Sequence, residues 1–268
     1  MTFIRCLDKQ SVKLQTGENA GLFALLKKDI AAGKVFPAVR KNELDFYYKG
    51  GCLYKFKNGR FQRDGNYERY NKDTEGLPPY ERAKKQNENK FTNTAGNSAE
   101  RQLLDGLYCH TFNAGLKKNV VVLDIEVNLN GTIGGGKKCD LVLFNTLTRE
   151  IMFVEGKVFS DSRVKTSAGH VPEVISQVGT YTAAIAEQRG IIISAYGEHV
   201  KIVNSLFGTN FIAPQTLIEP AKLLVYETPE AYYDCIKVID GALGKNNVLW
   251  LKRGKAPSPD EIWSKLCN

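Results

Sequence analysis

Residues 153–159 read Phe153-Val154-Glu155-Gly156-Lys157-Val158-Phe159, and the parsing of the chain turns on them. Valine and phenylalanine favour a strand, in which side chains alternate faces. Phe153, Glu155, Lys157 and Phe159 therefore share one side, and Val154, Gly156 and Val158 the other. A carboxylate and an amine project together from an apolar strand. Burying either charge is costly unless it is paired or binds a metal, so the strand is either half exposed or the floor of a site.

The neighbouring segments supply its partners. Residues 119–130 (NVVVLDIEVNLN) and 137–145 (KKCDLVLFN) alternate as strands, and the turn-rich stretches 131–136 and 145–149 separate the three. Before them, residues 97–112 form an amphipathic helix with Leu103, Leu104, Leu107 and Tyr108 on one stripe. After them, residues 172–190 open with Pro172, close with Gly190 and carry Val174, Val178, Tyr181 and Ile185 on an apolar face. A further helix over 191–208, a strand at 221–227 beside the third strand, a helix over 229–243, a strand at 247–253 and a helix over 258–267 complete this half.

The first third has a different texture. Residues 16–32 have helical spacing, with Thr16 as the cap and Gly33 as the stop. Residues 43–62 (ELDFYYKGGCLYKFKNGRFQ) read as three strands joined by a Lys-Gly-Gly turn and an Asn-Gly turn. Residues 71–98 are polar and read as a linker or loop with one short helix after Pro79. The expected division is a basic, β-rich N-terminal module over 1–96 and an α/β domain over 97–268.

Charge follows the same division. Residues 1–99 hold 19 Lys and Arg against 11 Asp and Glu, so the whole net charge of +8 lies there. A localised basic surplus suits a polyanion partner or simply a solvated surface. Lys49, Lys55 and Lys57 alternate there with Tyr47, Tyr48, Tyr54 and Phe56. Aromatic rings amid positive charge can stack bases and hold phosphates, while strands also favour aromatics for packing alone.

Composition excludes several classes. The N-terminus has no signal-peptide pattern, and no apolar run approaches the ~18 residues that span a membrane, so a cytoplasmic protein is expected. Six cysteines lie scattered without a Cys-x-x-Cys pair, and three histidines lack ligand spacing, which argues against zinc or iron–sulfur chemistry.

Asp140 sits near the start of the second strand of the trio, far enough before Glu155 to run up, turn and return beside it. Two carboxylates on adjacent strands form an oxygen site of the kind Mg²⁺ prefers, and suit metal-assisted phosphodiester hydrolysis. Asp140…Glu155-Gly156-Lys157 resembles the motif of the PD-(D/E)XK nuclease superfamily. Cys139 stands where the name implies proline. Gln177 and Tyr181, four apart on one helix face, resemble the Q-x-x-x-Y motif of its RecB-like branch. Glu100 lies on the inward stripe of the first core helix, as a metal-supporting glutamate does in many members; it equally fits the third position of a helix capped by Asn97.

The resemblance implies an α/β (α+β) fold with a restriction-endonuclease-like αβββαβ core and a mixed central sheet. It implies a metal-dependent DNase, an endonuclease of bacterial or phage defence, restriction or repair, with RNA as an alternative substrate. Asp140, Glu155, the Gly156 carbonyl and Glu100 would then bind Mg²⁺ or Mn²⁺. Lys157 would orient the nucleophile, and Gln177 and Tyr181 would position the strand. Arg163, Lys165 and His170, in the loop after the Lys157 strand, are candidate phosphate contacts, with a solvated loop as the alternative. Asp124 and Glu126 share a polar strand face and are second-tier candidates. A catalytically silent nuclease-fold subunit binding nucleic acid, a protein partner or its own copy is the competing reading. An unrelated α/β protein with an ordinary Glu155–Lys157 ion pair is the third.

Overall fold

The computed structural model describes residues 3–7, 13–93, 98–108, 111–113, 118–129, 138–165, 170–229 and 234–267. The fold is mixed α and β with two sheets. Its contacts divide the chain into two compact units, one built from residues 4–117 and 195–213, the other from 118–194 and 214–268.

The first unit carries helix α1 (Asn19–Ala31) and an antiparallel sheet in the order β1 (Phe36–Arg40), β2 (Glu43–Tyr48), β3 (Gly51–Lys57) and β4 (Arg60–Gln62). The two hairpin turns form as their residues dictate. Lys49 and Gly50 have φ of 50° and 66°, and Asn58 and Gly59 have 54° and 79°, the paired positive angles that a tight two-residue hairpin requires. β1 was not expected, because Pro37 interrupts its pattern; it is an edge strand, where a missing N–H is tolerated. α1 begins at Asn19 rather than after Thr16, and the Asn19 amide donates to the Lys13 and Gly59 carbonyls.

The helix expected after Pro79 is helix α2 (Pro79–Asn93), longer than a short turn of helix in a loop, and it buries Tyr80, Ala83, Gln86, Asn87, Asn89 and Phe91. Its amides bind backbone carbonyls: Asn87 Nδ2 donates to Tyr48 O at 3.3 Å and Gly51 O at 3.2 Å, and Asn89 Nδ2 donates to Tyr70 O and Lys72 O. Helix α3 (Ser98–Tyr108) belongs to this unit as well, so the compact division falls near residue 117 rather than at 96. Asp105 accepts from the Gly50 N–H at 2.9 Å, and Phe36 packs on Tyr108 and Phe112.

The second unit is a five-stranded mixed sheet in the order β5 (Val120–Val127), β6 (Cys139–Asn145), β7 (Glu150–Val158), β8 (Thr216–Thr228) and β9 (Val248–Lys252). β5, β6 and β7 pair antiparallel, whereas β8 and β9 continue parallel to β7. The parallel step needs a crossover, which helix α4 (Glu173–Phe207) supplies. α4 merges the two expected helices across a kink at Gln188, and its residues from Ala195 onward count with the first unit. β6 and β7 are buried along almost their whole length, as strands covered on both faces are. Helices α5 (Asp234–Leu243) and α6 (Pro259–Cys267) complete the unit, α6 tied to β5 by the Val120 N–H donating to Asp260. Among the described residues no helix is long and apolar enough to cross a membrane.

Candidate active site

Strand register brings the expected carboxylates together. Leu141 lies opposite Val154, which sets Asp140 beside Glu155 and Gly156. The Gly156 N–H donates to Asp140 Oδ2 at 2.8 Å, so the β6 end is fixed against the middle of β7 by side chain to backbone. Glu155 and Lys157 are not half exposed: they retain 1% and 2% of their accessible surface.

Lys157 Nζ is the centre of the cluster. It donates to Glu155 Oε1 and, at 2.7 Å, to the Gly156 carbonyl, and it lies 3.7 Å from Asp140 Oδ2. Two carboxylates and one carbonyl thus share a single ammonium. Gln177 joins from α4: its Nε2 donates to Glu155 Oε1 at 2.6 Å and to the Tyr181 hydroxyl at 3.0 Å. Tyr181 in turn donates to the Lys138 carbonyl at 2.8 Å, just before β6. The four-residue spacing on one helix face places both groups over the strands, and both are buried.

The electrostatics follow from this enclosure. Burial raises the Asp140 carboxyl above the usual carboxylate range, and Lys157 and the Gly156 N–H partly offset it. Glu126 adds to the rise. It stands beside Asp140, because Ile125 lies opposite Leu141 and Val127 opposite Cys139, and its own backbone has a φ of 47°. Sequence alone left Glu126 paired with Asp124 on one polar face. In the fold their roles differ: Asp124 is fully buried and accepts from the Ile125 N–H, while Glu126 pairs with Lys138 at 3.1 Å. Burial pushes the Tyr181 hydroxyl and the Cys139 thiol up, so both stay protonated.

The remaining candidates lie elsewhere. Glu100 is in the first turn of α3, in the other compact unit, a position that favours an acid through the helix dipole; Asn97, its expected cap, lies outside the described residues. Arg163 is held by Asp161 through Nε and Nη2 at 3.0 and 2.6 Å. Lys165 and His170 are exposed. In the first unit Lys49 occupies the hairpin turn, whereas Lys55 and Lys57 pair with Glu43 at 3.3 and 2.8 Å. The aromatics between them, Tyr47, Tyr48, Tyr54 and Phe56, are buried and serve the core.

Among the described residues no three His, Cys, Asp or Glu side chains gather as a metal site. The cluster instead offers two carboxylates and a backbone carbonyl, an all-oxygen set that already converges on a cation, and Mg²⁺ is commonly held by one or two carboxylates with water and substrate completing its shell. The residues fit a hard divalent ion that takes the place of the ammonium. Compared with known protein families, curated proteins and solved structures, the chain matches none.

Proposed function

We propose that the chain is a metal-dependent nuclease that hydrolyses DNA phosphodiester bonds with Mg²⁺ or Mn²⁺, its site built on β6, β7 and α4 in the manner of a PD-(D/E)XK core. The observation that carries the reading is the convergence of Asp140, Glu155 and the Gly156 carbonyl on one buried cationic group. Such a density of buried charge is costly for a fold that makes no use of it.

Asp140, Glu155 and the Gly156 carbonyl would hold the metal, which would supply an acidified water and a polarising charge at the phosphate. Lys157, released from the carboxylates, faces the phosphate oxygens and offsets the charge that grows on them. Gln177 fixes the Glu155 carboxylate through its Nε2, and Tyr181 fixes Gln177 against β6. Asp140 is anchored by the Gly156 N–H, so both carboxylates are positioned before substrate arrives.

The Lys157–Glu155 pair also fits a second reading, a structural ion pair in a protein that only binds. The purified protein should be incubated with supercoiled, linear and single-stranded DNA and with RNA, in Mg²⁺, Mn²⁺ or EDTA, beside folded Asp140→Ala. Metal-dependent cleavage lost in that variant supports the nuclease. No cleavage of any substrate by the wild type, with nucleic-acid binding intact, supports the second reading.

A further inference from the structure

β7 and β8 run parallel and part where the Phe159 N–H donates to the Tyr226 carbonyl at 2.8 Å. Beyond that point lies an open cavity of about 570 Å³ lined by Phe159, Ser160, Lys165, Glu227, Asp234 and Cys235. The crevice outside the carboxyl ends of parallel strands is where open α/β sheets bind ligands, and the volume lies within the roughly 300–1,000 Å³ of small-molecule sites. Phe159 follows Lys157 on the same face of the strand, about 7 Å further along. The cavity therefore begins one step beyond the candidate active site.

Its lining selects among guests. Among the described residues the Glu227 carboxylate lines the cavity and suits a group rich in N–H donors, while Asp234 stands at its rim, 93% exposed and 3.9 Å from Lys237. Phe159 supplies an aromatic wall, in edge contact with Trp250 at 6.4 Å between ring centroids. Cys235 is buried and its thiol is kept neutral. Glu227 is held at a φ of 57°, a costly backbone for a residue other than glycine, and this presents its side chain at the cavity. An unpaired base has this complement of properties: a flat apolar face for Phe159 and an amino edge for Glu227.

We infer that this cavity takes one unpaired base of the strand being cut, next to the scissile phosphate, and prefers bases that carry an exocyclic amino group. Cytosine, adenine and guanine donate from that group; thymine does not. The inference rests on the nuclease reading for its substrate but not for its test.

The full chain carrying Lys157→Met, which binds without cutting, is titrated with dCMP, dAMP, dGMP and TMP while tryptophan emission is recorded, with Trp250→Phe to assign the signal. The expected result is binding of the three amino-bearing nucleotides about tenfold tighter than TMP, a preference that Glu227→Gln removes while far-UV dichroism stays unchanged. Equal affinity for TMP, no binding of any nucleotide, or an unchanged preference in Glu227→Gln overturns the inference. DNA cleavage by the wild type without nucleotide preference overturns the pocket and leaves the nuclease standing. Selective nucleotide binding without cleavage does the reverse.

Discussion

Replacing Lys157 by methionine removes the charge at the centre of the cluster while keeping most of its volume. The wild-type ammonium is 2% exposed and serves Glu155, the Gly156 carbonyl and, at 3.7 Å, Asp140. Without it the buried Glu155 and the partly exposed Asp140 carboxylates face each other, with the Gln177 amide on the one and the Gly156 N–H on the other. Breaking a buried pair in this way costs about 3–5 kcal/mol. At ~2–4 °C per kcal/mol for a domain of this size, the melting temperature in EDTA falls by roughly 6–20 °C. A divalent ion then restores what the ammonium supplied. At about one hundred times its dissociation constant it returns ~2.7 kcal/mol, and it does so more fully in Lys157→Met than in the wild type, where the ammonium competes for the same oxygens. Differential scanning calorimetry of both proteins in EDTA and in millimolar Mg²⁺ and Mn²⁺ measures the four values. A variant that melts with the wild type in EDTA, or that gains no more from metal than the wild type does, refutes the reasoning.

Three further outcomes follow from single contacts. Tyr181→Phe removes the hydroxyl shared by Gln177 and the Lys138 carbonyl and is expected to cost about 1–3 kcal/mol in urea denaturation, with cleavage reduced because Gln177 no longer fixes Glu155. Asn87→Ala frees the Tyr48 and Gly51 carbonyls and is expected to cost a further ~2–3 kcal/mol, although it touches no candidate catalytic group; a cost below about 0.5 kcal/mol contradicts the account of α2. Asp45 is buried, and burial raises its carboxyl to about 6 against the pull of Arg40 and Lys55. Its contribution to stability is therefore full below pH ~4 and lost as pH rises through ~6, on the order of 2–3 kcal/mol, while neighbouring Glu43, lowered to about 2 by Asp45, Lys57 and Lys55 despite its own burial, contributes in the opposite sense at lower pH. Asp45→Asn should flatten the stability profile between pH 4.5 and 6.5; an unchanged slope there contradicts the assignment.

The juxtaposition of residues in the candidate site was legible because it is written at strand and helix periods. Alternation along residues 153–159 put Glu155 and Lys157 on one face, and the i, i+4 spacing put Gln177 above Tyr181; register then brought Asp140 to Gly156. The hairpins were legible because Lys-Gly and Asn-Gly accept positive φ. What failed was hydropathy where amides do the packing. α2 buries Gln86, Asn87 and Asn89, residues that read as solvent-facing, because each finds a carbonyl or amide partner near the sheet. The role of Glu126 was hidden for another reason. Its backbone stands at a φ of 47°, outside the extended geometry on which strand alternation rests, and no local pattern announces such an angle. The ion pairing of Lys55 and Lys57 with Glu43 was equally out of reach, since it depends on which residues face each other across β2 and β3.

The central claim is that Asp140, Glu155 and the Gly156 carbonyl hold one divalent ion. Titration of the protein with Mn²⁺, followed by loss of the free-ion electron paramagnetic resonance signal, measures it without reference to any substrate. The expected result is a bound ion that Mg²⁺ displaces and that both Asp140→Ala and Glu155→Gln abolish, with Lys157→Met binding it more tightly than the wild type. No bound Mn²⁺, or binding that survives both carboxylate substitutions, would contradict it.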